Sequence, residues 1–137
     1  MQQIQQFFSH EDKYALHSGI ELVTVEPGRA TVKMKIQPFH FNGAGTVHGG
    51  AIFTLADFAF AVASNSHGTL AMGINTSTSF VKAALQGTLH AEAREQSRNA
   101  KLASYSVMVT DDENDVVAIF QGMVYRKKEP TIPADYK

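Results

Sequence analysis

The chain has no cysteine. That excludes disulfides, thiolate zinc sites and a cysteine nucleophile. Charge is sparse and balanced: Asp, Glu, Lys and Arg make up 18% of 137 residues, with a net charge of -1. A chain so close to neutral carries no global field for nucleic acid. Long apolar runs are missing too. The most apolar stretch, Ala51 to Ala63, is too short to span a bilayer and contains Asp57. The N-terminus, Met1-Gln2-Gln3-Ile4-Gln5-Gln6, has no basic segment followed by an apolar run, so no signal peptide is visible. The expectation is a cytoplasmic protein with no membrane and no nucleic-acid partner. Gly-x-Ser-x-Gly, Gly-x4-Gly-Lys and dinucleotide-binding glycine patterns are absent. The six histidines show no helical metal spacing with an acid nearby, so no metal is expected.

What is present begins with composition. Hydrophobic residues are 44% of the chain, enough for one globular domain with a real core, over residues 1–137. Residues 1–18 read as one or two short helices, with Ser9-His10-Glu11-Asp12 resembling a capping box. Pro27-Gly28 marks a turn between two strands, Ile20 to Glu26 and Arg29 to Ile36. The second alternates cleanly, Ala30, Val32, Met34 and Ile36 against Arg29, Thr31, Lys33 and Lys35. Four more strands fit at Ala71 to Val81, Thr88 to Ser97, Leu102 to Thr110 and Val116 to Arg126. Residues 127–137 hold Pro130 and Pro133 and read as a loose tail.

Between the strand groups lies the stretch from Asn42 to Ser64. A glycine-rich loop ends in His48-Gly49-Gly50, and a helix-forming run follows that is apolar on almost every side. Such a helix should be buried. The order of helix, two strands, long helix and four strands predicts an α+β fold. Its curved antiparallel sheet of five to six strands wraps one central helix.

Asp57 is the one charge in that helix. Burying an ionised carboxylate is costly unless it is paired or raises its pKa. Either a hydrogen-bonded structural role or a catalytic one would account for it. Gly49 and Gly50 stand where the first amide N–H groups have no intrahelical partner and the dipole favours negative charge. Eight residues separate Gly49 from Asp57, about 12 Å along a helix axis. That is too far to serve one small atom, so two antiparallel helices in a dimer would bring one subunit's Gly49 near the other's Asp57. His48 reads as a cap, a packed side chain or a site residue, and Asn42-Gly43 alone is a turn signal.

Asn42-x5-His48-Gly49-Gly50-x4-Leu55-Ala56-Asp57 resembles the signature of hotdog-fold acyl-CoA thioesterases of the phenylacetate-degradation (PaaI) type. The similarity continues through Phe60-Ala61-x-Ala63-x-Asn65-Ser66-x-Gly68. The resemblance implies hydrolysis of an aryl-acetyl or medium-chain acyl-CoA. Gly49 would polarise the thioester carbonyl, Asp57 would attack it or activate water, and Asn42 and His48 would position these groups. It implies no cofactor beyond coenzyme A as part of the substrate, and a homodimer or homotetramer with active sites at subunit contacts. Gly50, Asn75, Thr76, Phe80, Lys82 and Lys101 are further candidates for contact with the substrate. For both lysines an ordinary surface role stands beside that reading, and Lys82-Ala83 replaces the family's Arg-Pro or Lys-Pro. Phe53, Phe58, Phe60 and Phe80 are candidates to line the acyl pocket. Two alternatives remain: a non-catalytic acyl-CoA-binding protein, and a hotdog enoyl-CoA hydratase or dehydratase. The His-Gly-Gly loop ahead of the helix carboxylate favours the thioesterase.

Overall fold

The computed structural model describes residues 1–136. Six strands form: β1 (Ile20–Glu26), β2 (Arg29–Lys35), β3 (Thr69–Phe80), β4 (Thr88–Arg98), β5 (Leu102–Thr110) and β6 (Val116–Pro130). In β2, β4, β5 and most of β6, buried residues alternate with more exposed ones. They build one sheet in the order β1-β2-β4-β5-β6-β3. Every pairing is antiparallel. The inward residues Val32, Met34, Leu89, Ala91, Ala93, Tyr105, Val107, Val109, Phe120 and Val124 are buried against a single long helix, α3 (Gly49–Asn65). Two short helices, α1 (Gln2–Glu11) and α2 (Lys13–His17), pack over β1. This is the hotdog arrangement: a curved sheet around one helix. None of the described helices is long and apolar enough to cross a membrane.

Local chemistry explains the boundaries. The helix break after Glu11 falls at Asp12, whose carboxylate accepts the Ala15 N–H at 3.1 Å and caps α2. Ser9 lies inside α1, so the expected capping box at Ser9 is replaced by a cap three residues later. The hairpin turn needs a positive φ, supplied by Gly28 at 75°.

The helix is less enclosed than its composition predicts. Gly50 is exposed, and Thr54, Asp57 and Ala61 are only half-buried. These residues fall at i, i+4, i+7 and i+11, one stripe along α3. The sheet and the two short helices cover the rest and leave this stripe open.

The tail also differs from expectation. β6 runs to Pro130, four residues past Arg126, because it pairs with all of β3. Thr131 is buried, and its hydroxyl donates to Asn65 Oδ1 at 3.0 Å. Tyr136 stacks edge-on against Phe7 at 5.0 Å. The end of the chain is pinned as far as Tyr136, and Lys137 lies outside the described residues.

Asn65 and Ser66 belong to the same joint. Asn65 donates to the Ala61 and Ala71 carbonyls and accepts the Ala71 N–H, while Ser66 Oγ accepts the Gly28 N–H at 2.7 Å. Their part in the motif is to close the C-terminal end of α3 onto the sheet.

Candidate active site

The loop before α3 is built by Asn42. Its Oδ1 accepts the Ala44 and Thr46 N–H groups at 2.9 and 3.1 Å, and its Nδ2 donates to Thr46 Oγ1. Gly45, at φ 80°, completes the turn. Two backbone bonds then fix the approach to the helix. Val47 N–H donates to the Ala84 carbonyl at 2.9 Å, and His48 N–H donates to the His40 carbonyl at 2.7 Å.

His40 is a residue whose part the sequence did not signal. Its Nδ1 accepts the Gln37 N–H and its Nε2–H donates to the Ser18 carbonyl, so both ring nitrogens are engaged and the ring is buried. It is a structural anchor for the loop.

Helix α3 begins at Gly49, capped by His48. The Gly50 N–H donates to His48 Nδ1 at 2.8 Å, and the Ala51 and Ile52 N–H groups donate to the His48 carbonyl at 2.9 and 3.2 Å. Of the first four N–H groups of the helix, only that of Gly49 has no acceptor among the described residues. An unengaged donor at the positive end of a helix dipole suits a negative oxygen.

The Phe80 ring lies over Gly49. A cavity of about 380 Å³ opens here, lined by Asn42, Thr46, Gly49, Ile52, Phe80 and Lys82 among others. That volume is in the range of small-ligand sites. A second hollow of about 360 Å³ lies on the His48 and Gly50 side of the helix start, flanked by Tyr14 and Phe39.

Asp57 stands on the open stripe, and its carboxylate makes no hydrogen bond among the described residues. Burial raises its pKa above the usual Asp range, and the negative charge of Asp12 adds to that shift. Asp12 was read from sequence only as part of a cap. Its charge acts on Asp57 from 45 positions earlier in the chain, which no local pattern signals.

The other candidates divide. Phe80 is at the site and 53% exposed. Phe60 is core: its ring fills the space over Gly73 and Gly122, where added Cβ atoms would stand 3.1 and 2.7 Å away. Phe58 faces Phe8 of α1, and Phe53 packs at 5.7 Å from Phe120.

Asn75 and Thr76 point to opposite faces of β3, as neighbours on a strand do. Thr76 pairs with Gly122 on the helix side, and Asn75 pairs with Met123 on the outer side. Only Thr76 shares the face of Phe80. Thr78, on that face too, has a buried hydroxyl without a partner among the described residues.

Lys82 is held by two carboxylates, Asp111 Oδ2 at 2.7 Å and Asp115 Oδ2 at 2.8 Å. These hydrogen bonds, against a smaller effect of burial, hold its pKa above the ordinary lysine value. Lys101 lies in the β4–β5 turn, at the other end of β5 from Asp111. Nine residues of strand, about 30 Å, separate the two ends. One chain therefore does not bring Lys82 and Lys101 to the same group. No three His, Asp or Glu side chains among the described residues are placed to hold a metal ion.

Comparison with known proteins agrees with this fold. The family profile described as the thioesterase superfamily matches residues 44–118. The acyl-coenzyme A thioesterase PaaI of Escherichia coli is 32% identical over 116 residues, covering 84% of this chain and 83% of that protein. The structure of the E. coli PaaI protein from the phenylacetic acid degradation operon superposes with a TM-score of 0.91 at 29% identity, covering 94% of each chain. A mutant of the phenylacetic acid degradation protein PaaI of Thermus thermophilus superposes with a TM-score of 0.81 at 32% identity, covering 85% of this chain and 100% of that one.

Proposed function

Because this chain belongs to the thioesterase superfamily and is a thioester hydrolase of the PaaI-like type, we propose that it hydrolyses an acyl-CoA to the free acid and coenzyme A. One observation carries the site assignment: among the described residues, Gly49 alone of the leading N–H groups of α3 is unengaged, beneath Phe80. Attack on a thioester develops negative charge on the carbonyl oxygen. A preorganised backbone donor at that oxygen is worth about 3–4 kcal/mol.

Asp57 supplies the other half, as a general base toward water. Its raised pKa supports this role, because a base works best with a pKa near the operating pH. The open stripe of α3 and the unpaired edge of β3 are the surfaces on which a second copy packs. Antiparallel pairing there sets Gly49 of each subunit toward Asp57 of the other, closing the gap of about 12 Å. Thr76 and Thr78 face the same junction. His48, its Nδ1 engaged by Gly50, shapes the helix start and pairs with no carboxylate of its own chain among the described residues. A hydratase would need such a pair. The reaction uses no metal or cofactor; coenzyme A enters only as part of the substrate. Phe80 and the hollow beneath it suit an aryl-acetyl or medium-chain acyl group.

The test is release of coenzyme A from phenylacetyl-CoA by the purified protein. Turnover in the parent and its loss in Asp57→Asn support the reading. Equal rates in the two proteins overturn the assignment of Asp57, and no release from any acyl-CoA of a chain-length panel overturns the activity.

A further inference from the structure

The segment leaving β3 touches the start of α3 twice. Phe80 rests on Gly49, and the Ala84 carbonyl accepts the Val47 N–H, with Val47 and Ala84 both buried. Lys82 sits midway, two residues from each contact. Its Nζ bonds Asp111 and Asp115, at the two ends of the β5–β6 turn. That turn is itself fixed. Asp111 Oδ1 accepts the Glu113 and Asp115 N–H groups, and Asp112 Oδ2 accepts the Thr88 N–H at 3.0 Å. The Asp111 side chain is only 14% exposed. From the other direction, Val81 and Lys82 N–H groups both donate to the Val117 carbonyl.

We propose that Lys82 is a positioning residue for the thioester site, a clamp that holds the Phe80–Ala84 segment against the helix start, and not a ligand of the coenzyme A phosphates. An ammonium group has three donors, and two are spent on carboxylates. Asp111, Asp112 and Glu113 line the same hollow as Lys82, and Asp115 bonds it. A nucleotide phosphate brought there would meet a net negative field. The clamp acts on Gly49 through Phe80 on one side and through Ala84 and Val47 on the other. This inference rests on Gly49 being the carbonyl-polarising donor.

The experiment compares phenylacetyl-CoA with S-phenylacetyl-pantetheine, which lacks the phosphates and the nucleotide. Lys82→Met should lower kcat at least about fivefold for both thioesters, with the ratio of their kcat/KM values within about twofold of the parent. Lys82→Arg should restore both. The double variant Asp111→Asn/Asp115→Asn should repeat the parallel loss. If Lys82 instead grips phosphate, only the coenzyme A ester suffers in Lys82→Met, and freeing the lysine in the double variant tightens that ester. Either result, or no loss with either thioester, overturns the clamp. Hydrogen exchange at the Val47 amide reads the clamp without turnover. It should speed at least about tenfold in Lys82→Met and stay at the parent rate in Lys82→Arg. An unchanged rate sinks the clamp whatever the activity, whereas a parent protein inert toward both thioesters with faster exchange sinks the functional reading alone.

Discussion

The Phe80 ring stands 3.4 Å from the point where a Cβ on Gly49 would be. That is ordinary contact, so alanine fits at Gly49 without displacing backbone. Alanine also suits a helix better than glycine, by about 0.5–1 kcal/mol. Gly49→Ala should therefore fold with a Tm at or above that of the parent. The added methyl occupies the space beneath Phe80 that the thioester needs. We expect kcat/KM to fall at least about tenfold. A stable variant with parent activity would show that the carbonyl does not lie there.

Asp57→Asn should separate stability from activity. The folded-state pKa of Asp57 is raised, so its contribution to stability is present below the ordinary Asp range and is lost as pH rises through the raised value. At neutral pH the half-buried carboxylate, without a partner among the described residues, is a liability, and the amide relieves it. The variant should melt higher than the parent at pH 7, and this advantage should vanish at acid pH. Turnover should drop about 10²-fold or more. Melting curves across pH check the first claim, and coenzyme A release checks the second.

Asp12 tunes the same group. Its negative charge raises the Asp57 pKa, second to burial. Removing that charge in Asp12→Asn should lower it, so the acid limb of the kcat/KM profile moves to lower pH. Asparagine is also a good helix cap, so α2 should persist. A limb that stays in place or moves to higher pH rules out Asp12 as a tuning charge.

Shared sites predict complementation. Asp57→Asn and Gly49→Ala are each impaired, but a mixed dimer holds one intact Gly49 facing one intact Asp57. Unfolding and refolding the two variants together should recover about a quarter of parent activity, from random pairing of symmetric partners. Recovery no greater than the sum of the separate variants would place each site within one chain. Light scattering should give a mass at least twice 15.0 kDa.

Much of this was legible before any fold was known. Period-two alternation located β2, β4 and β5, since a half-buried sheet imposes it. β5 begins and ends where the alternation does, and β1 has the expected bounds although a register shift after Leu22 breaks its alternation. Asp57 announced itself as the only charge in an apolar helix, and two glycines marked the helix start. What escaped depends on contacts distant in sequence. Lys82 meets its carboxylates 29 and 33 residues later. Asp12 and Asp57 lie 45 positions apart. The faces of Asn75 and Thr76 depend on a register shift after Gly73, which no local pattern announces. Thr131 reads as tail until Asn65, 66 residues earlier, is placed beside it.

The strand order also dictates how the chain must be made. β3 emerges from the ribosome directly after α3, yet its partner in the sheet is β6, the last strand. Until residues 116–130 appear, β3 has nothing to pair with, and the apolar flank of α3 beside it stays bare. The earliest strand-to-strand contacts are the β1–β2 hairpin and then β4 and β5, which leave a gap that only the chain's end can fill. Non-local closure of this kind is slow and leaves sticky surface uncovered. Synthesis stalled short of β6 thus releases a species with one flank of the helix uncovered and an open edge, a form prone to misassociate with another nascent copy.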